Sequence, residues 1–373
     1  MSRLGSMGAR LYRGEVGYDF VGKRKIWYAI SILITITAIV GLSVRGLNLG
    51  IEFQGGAVFT TSKGTNISVA EAQTSAEKVS GHPATVQKLG SDGALRIQVS
   101  GISTSTADKL HDQIAKDLNV SPNKIAADVV GPSWGESIAN KAWQGLAIFM
   151  VLVVIYLAIA FEWRMAIAAL VALIHDLTIT VGVYALVGFE VTQGTVIGLL
   201  TILGYSLYDT VVVFDGLKEA SKDLTKQTRF TYSEIANRSL NGTLVRSINT
   251  TIVALLPVAG LLFIGGGFLG AGMLNDISLA LFVGLAAGAY SSIFIATPLV
   301  ADLKEREPAM KALKKRVLAK RASAAAKGES YDESAEADDA RDAAPEGTAV
   351  AGSVAGNRPP APRGRGRTQG KRR

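Results

Sequence analysis

An apolar run occupies residues 26–44, and five more of comparable length follow at about 138–161, 165–187, 192–215, 248–266 and 277–300. About 20 apolar residues carry a helix through the hydrocarbon core of a bilayer, so the pattern predicts a polytopic α-helical membrane protein with six transmembrane helices. The first run exceeds the apolar core of a cleaved leader and is expected to remain as a helix. Between the first and second runs the pattern changes. Residues 45–137 alternate or become β-rich at 57–61, 84–89, 94–99 and 124–130, which is the period of half-buried strands. Ser68 with Glu71 three residues on has capping-box spacing, and 103–118 carries apolar residues at helical spacing. The order β-α-β-β-α-β predicts one α+β ferredoxin-like domain between helices 1 and 2, with Ser91, Asp92 and Gly93 turning its middle hairpin.

Two glycine-rich doorways join this domain to the spans: GIEFQGG, with Gly55 and Gly56, and GPSWG, with Gly131 and Gly135. Their glycines predict tight backbone turns and a hinge for the domain. No phosphate-binding spacing surrounds them. Lys and Arg gather in residues 1–25, at Arg164 between the second and third runs, and at Lys218, Lys222, Lys226, Arg229 and Arg238 between the fourth and fifth. Positive loops stay in the cytoplasm, which places both termini inside and the ferredoxin-like domain outside. The chain then divides into a cytoplasmic segment 1–25, transmembrane helix 1 at 26–44, the external domain 45–137, helices 2 to 6 within 138–303, and a charged, Ala-rich cytoplasmic tail 304–373 expected to be disordered.

Composition agrees with the pattern: 48% of the 373 residues are hydrophobic and only 19% charged, outside the soluble range. The chain has no cysteine, which excludes disulfide, zinc-thiolate and thiol chemistry. Topology explains most of the net charge of +8; no specific nucleic-acid partner is expected, and the tail reads first as a solvated segment, with contact to anionic membrane lipids or ribosomal RNA as the alternative. Of three histidines, His82 and His111 fall in the external domain, so neither a metal site nor a cofactor is expected.

Candidate chemistry lies in the spans. Asp209 sits in the fourth run, where a carboxylate at a helix centre costs about 2.5 to 3.5 kcal/mol on insertion scales unless paired, hydrated or protonated. Arg246, at the mouth of the fifth run, is the expected partner. A static pair and a titrating switch are both compatible with this spacing. Ser206 and Tyr205 fall three and four residues before Asp209, with Thr201 and Gly198 further along the same face. In the third run His175 and Asp176 sit together, suited either to helix packing or to a proton path. Gly284, Gly288 and Ser292 repeat every four residues in the last run, the spacing of a close helix approach. No nucleophile elbow surrounds Ser291 or Ser292, so no catalytic residue and no enzyme activity is expected.

GIEFQGG, GPSWG, the His175–Asp176 pair, GYSLYDTVVVFD, NRSLNGTLVRSINTT and SSIFIATPL occur in this order over residues 23–303. In these segments the chain resembles the SecF branch of the SecDF protein-export family, within the resistance-nodulation-division superfamily. The resemblance implies a six-span subunit of a bacterial cytoplasmic membrane that partners a SecD-like six-span chain and the SecYEG channel. It also implies that protons serve as the coupling ion for translocating unfolded secreted proteins. Asp209 and Arg246 match the family's intramembrane acid and base. Glu52 stands where the family usually has Asp, and Gly216 where a basic residue commonly follows FD. The rival readings are a half-size proton-coupled exporter of the same superfamily, an intramembrane aspartyl protease using Asp209 and Asp176, and a passive scaffold.

Overall fold

The computed structural model describes residues 17–62, 68–89, 93–117, 119–266 and 272–326. Among these residues six helices are long and apolar enough to cross a membrane. They are built on α1 (Arg24–Arg45), α5 (Pro132–Ala160), α6 (Trp163–Val187), α7 (Gln193–Ala220), α8 (Tyr232–Gly260) and α9 (Gly272–Ser291).

Between α1 and α5 lie β1 (Asn48–Leu49), α2 (Ile51–Gln54), β2 (Gly56–Thr61), α3 (Val69–Ser80), β3 (Ala84–Leu89), β4 (Ala94–Ser100), α4 (Thr104–Asp117) and β5 (Ile125–Val130). The antiparallel sheet runs β3-β4-β2-β5, the strand order of a ferredoxin-like fold. Phe59 stands between Ile97 and Ala127 in register. It joins Ala72, Ala76, Leu110 and Ile114 of the two helices in a dry core. Ser68 caps α3 as its spacing predicts: its hydroxyl accepts from the Glu71 amide at 3.1 Å, and the Glu71 carboxylate accepts from the Ser68 amide at 3.2 Å. Ser91 and Asp92 of the expected hairpin turn lie outside the described residues, while Gly93 has φ 78°.

The two doorways form one junction. A Cβ on Gly135 would lie 2.8 Å from the Gly55 nitrogen, and one on Gly55, at φ +74°, 2.7 Å from the Pro132 Cα. Gly56 (φ +138°) has the Val99 carbonyl 2.3 Å from a built Cβ, whereas Gly131 faces open space. Three of the four glycines therefore serve close backbone approach, so backbone rather than side chains fills the junction.

Three boundaries differ from expectation. The fifth span begins at Tyr232, not near residue 248. Its polar first half stays helical because Asn237 and Asn241 turn their amides onto the backbone of Tyr18, Phe20 and Val21, and the Thr231–Glu234 capping box closes its start. The last span widens into a π-helical segment, Ser292–Ala296, before α10 (Thr297–Glu305). Pro298 has no N–H to return to the carbonyl four residues back, which loosens the preceding turn. The basic stretch after residue 304, expected to be disordered, forms α11 (Pro308–Ala326) with Leu313 and Val317 fully buried. Apolar residues four apart give it a face to bury that the charge count hides. Residues 327–373 of the expected tail lie outside the described ones.

Candidate functional site

α7 and α9 meet along a ladder of small residues. A Cβ on Gly198 would lie 2.7 Å from the Ala280 Cβ, one on Gly284 2.2 Å from Ile202, and one on Gly288 3.1 Å from the Ser206 Cβ. Gly284 and Gly288 thus do what their spacing predicts. The next rung pairs Asp209 with Ser292, whose hydroxyl donates to Asp209 Oδ2. From α8, the Ser247 hydroxyl reaches the same carboxylate at 2.8 and 3.0 Å. Asp209 is 4% exposed.

One turn away a second acid is held in the same manner. Asp176 of α6 is fully buried and accepts from the Ser206 hydroxyl at 2.5 Å and the Ser291 hydroxyl at 2.7 Å. His175 Nδ1 lies 3.4 Å from the other oxygen, and its ring stacks on Tyr290 with centroids 6.1 Å apart. His175 Nε2 is buried without a hydrogen-bond partner among the described residues. Ser291 and Ser292, neighbours about 100° apart on a helix, therefore serve different acids from the point where the helix widens into its π segment.

The expected Asp209–Arg246 ion pair is corrected. Arg246 is exposed, and among the described residues Asp209 is bonded to hydroxyls instead. The reason is helical phase: Ser247 faces α7, which turns the preceding residue about 100° away. Ser206, expected beside Asp209, serves Asp176. Tyr205 is half-buried within electrostatic range of Asp209, while Thr201 is exposed and bonds back to the Ile197 carbonyl at 2.8 Å. Gly216 faces α8, where a built Cβ would lie 3.1 Å from the Thr243 methyl; that position is for packing, not for a surface charge. Among the described residues no group of three or more His, Asp or Glu side chains is arranged to hold a metal ion.

Buried acids met by hydroxyls, alone at Asp209 and beside His175 at Asp176, have a definite chemistry. A hydroxyl donates to the carboxylate but also accepts from the carboxylic acid, so the same partners satisfy either protonation state. An Arg partner would hold the charged state alone. The sequence reading missed Ser247 and Ser291 as acid partners and gave Ser292 to packing alone. The ladder held the signal: continuing the stripe of Gly284 and Gly288 by one step brings residue 292 level with Asp209.

Comparisons with known proteins identify the family. The profile of the SecD/SecF C-terminal family of protein export membrane proteins matches residues 111–306, and the SecD/SecF GG motif matches residues 40–62. The protein translocase subunit SecF of Streptomyces coelicolor is 74% identical, with all of both chains covered. The chain belongs to the SecD/SecF family. The SecF of Mycobacterium tuberculosis is 40% identical over 88% of this chain and 76% of its own. The crystal structure of SecDF, a translocon-associated membrane protein from Thermus thermophilus, superposes with a TM-score of 0.68 at 31% identity, covering 79% of this chain and 39% of that one. This chain thus spans about two fifths of a SecDF polypeptide, and the family relationship makes it a multi-pass subunit of protein export with a SecD-type counterpart.

Proposed function

We propose that the chain is the SecF-type subunit of a bacterial cytoplasmic-membrane export complex, with both termini cytoplasmic and the sheet domain outside. In this reading it couples proton flow to late steps of protein translocation beside the SecYEG channel. The observation that carries it is the pair of buried acids, Asp176 and Asp209, bonded by adjacent serines at the point where α9 passes into its π-helical segment. A π segment stores an extra residue per turn that a small slide of the helix can shift. Such a slide exchanges the donors at both acids together, so protonation at one site is felt at the other. One charge crossing 100 mV releases about 2.3 kcal/mol, enough to bias a domain movement between two positions.

Arg246 has its place in the same reading. An unpaired guanidinium at membrane depth is costly, and its exposure on α8 directs it at the six-span counterpart, which supplies an acid across the interface. The sheet domain, carried on the glycine junction, is the part that meets unfolded secreted chains. No cofactor besides the proton is required, and the serines act as donors to acids rather than as nucleophiles, so the subunit works as a transporter component and not as an enzyme.

The test is translocation into vesicles holding the chain and its partners, with and without a proton gradient. Asp209→Asn and Arg246→Met are expected to assemble normally and to lose only the gradient-dependent part of export. Unchanged export with intact assembly overturns the proton-coupled reading and leaves a scaffold.

A further inference from the structure

At the sheet-domain end of the spans, far along the chain from Asp209, three acids and one base come together. Glu52 lies on α2, Glu190 in β6 (Glu190–Val191) between α6 and α7, and Asp276 near the start of α9. β6 pairs in parallel with β1, and the Gly50 amide donates to the Val191 carbonyl at 2.9 Å. This fixes the doorway against the α6–α7 turn. Arg96 of β4 reaches Glu190 Oε2 at 3.4 Å.

The other oxygen of Glu190 and one oxygen of Glu52 are buried with no hydrogen-bond partner among the described residues. The Glu190 side chain is 9% exposed. Both orphaned oxygens point at one spot: a Cβ built on Gly50 would lie 2.4 Å from Glu52 Oε2 and 2.9 Å from Glu190 Oε1. Gly50 therefore leaves room for two carboxylates to converge. Two ionised carboxylates at such a spot repel, and neither of the converging oxygens has a donor among the described residues; one shared proton removes the repulsion and supplies the donor.

We infer that Glu52 and Glu190 form a second proton-binding site, a carboxyl–carboxylate pair whose bound proton fastens the doorway of the sheet domain to the α6–α7 turn. The proton comes from water on the sheet-domain side, one O–H bond forms on a glutamate oxygen, and the remaining negative charge faces Arg96. The groups around the pair are Arg96 and Gln98 of β4, Asp276 of α9, which accepts from the Thr192 hydroxyl at 2.9 Å, and Tyr184, which bonds the Asp276 backbone carbonyl. Asp128, Glu136 and Lys141 on the neighbouring elements are exposed, and Arg45 is turned onto the Leu186 carbonyl. Burial pushes the Glu190 carboxyl above its usual range; Arg96 and Gln98 oppose the rise, while Glu52 and Asp276 add to it. The sign follows from linkage. A site that binds its proton more tightly when seated than when released is seated by proton uptake and released as pH rises.

The experiment uses the full chain in nanodiscs, whose lack of cysteine permits spin labels at Lys109→Cys on α4 and Val187→Cys at the end of α6, both exposed. Inter-label distances are measured from about pH 5 to about pH 9, a range spanning a raised carboxyl pKa. A narrow distance at low pH that broadens or lengthens at high pH is expected. Glu52→Gln, whose amide donates permanently where the proton sat, should stay narrow throughout. Asp276→Asn should move the transition to lower pH. The transition should persist in Asp209→Asn, which separates this site from the inner acids. A wild-type distance that ignores pH, a Glu52→Gln protein with an unaltered transition, or a transition that follows sodium or calcium at fixed pH overturns the inference.

Discussion

The core of the sheet domain and the seam between α7 and α9 are equally buried but are made differently. Phe59, Leu95, Ile97, Leu110 and Ile114 fill the first with side chains alone. The second has glycines where bulk would go and acids where apolar groups would go. Water release stabilises the first and nothing in it can titrate. In lipid that driving force is absent between helices, so the seam relies on close backbone approach and hydrogen bonds. The difference leaves the seam with polar contacts that can exchange partners, whereas the sheet core has none.

The largest expected effect breaks the first region without the second. Phe59→Ala removes a fully buried ring, a change that costs about 3 to 5 kcal/mol. Hydrogen exchange on the full chain should show the sheet amides lose protection while α7 and α9 keep theirs. Equal loss in both would mean that the two regions unfold as one unit and that the contrast is false.

Gly284→Val attacks the seam instead. Its side chain must displace Ile202, which already lies within 2.6 Å of a built Cβ, and overpacking of this kind costs about 1 to 3 kcal/mol. Thermal unfolding in detergent should show the loss, and Ile202→Ala in the same chain should recover part of it. No recovery would mean that the approach of α7 and α9 is set elsewhere. A smaller effect is expected from Ser292→Ala, on the order of 1 kcal/mol for one hydrogen bond. The gradient-driven part of export should fall more than the melting temperature does, because Ser247 still satisfies Asp209; a purely structural serine would lower both in step.

The two regions also differed in how much of them could be read from the sequence. Period-two alternation and the Ser68 cap rest on neighbours in the chain and were visible; the strand order, which pairs Gly56 with Val130, was legible only through the β-α-β-β-α-β succession of elements. Gly284 and Gly288 were visible for the same reason. The acids were visible but their partners were not, because a hydrogen bond between Asp176 and Ser291 joins residues 115 apart, and no local period encodes it. Arg246 misled because opposite charges attract in any list of residues, whereas helical phase decides which of residues 246 and 247 faces α7. Glu190 and Asp276 carry no local signal, since only the fold brings α2, β6 and α9 together.

The smallest expected effect tests the claim that the sheet domain's own stability does not titrate near neutrality. Its surface carries two acids held below the usual carboxylate range. Asp117 is lowered by the Ser75 hydroxyl at 2.8 Å and then by Gln113, and Glu77 by Gln73 and the Ala84 amide. A group whose folded pKa is depressed adds stability above its unfolded pKa, and that contribution is lost as pH falls through the folded value. The loss therefore lies below about pH 4, where unfolded Asp and Glu take up protons, and stability should be flat from about pH 6 to about pH 8. Ser75→Ala should shrink the acid-side loss because it removes the largest cause of the Asp117 shift. Sheet-amide exchange compared at neutral and acid pH reads both effects. A slope near neutrality that survives Glu52→Gln would place a titrating group inside the sheet domain itself.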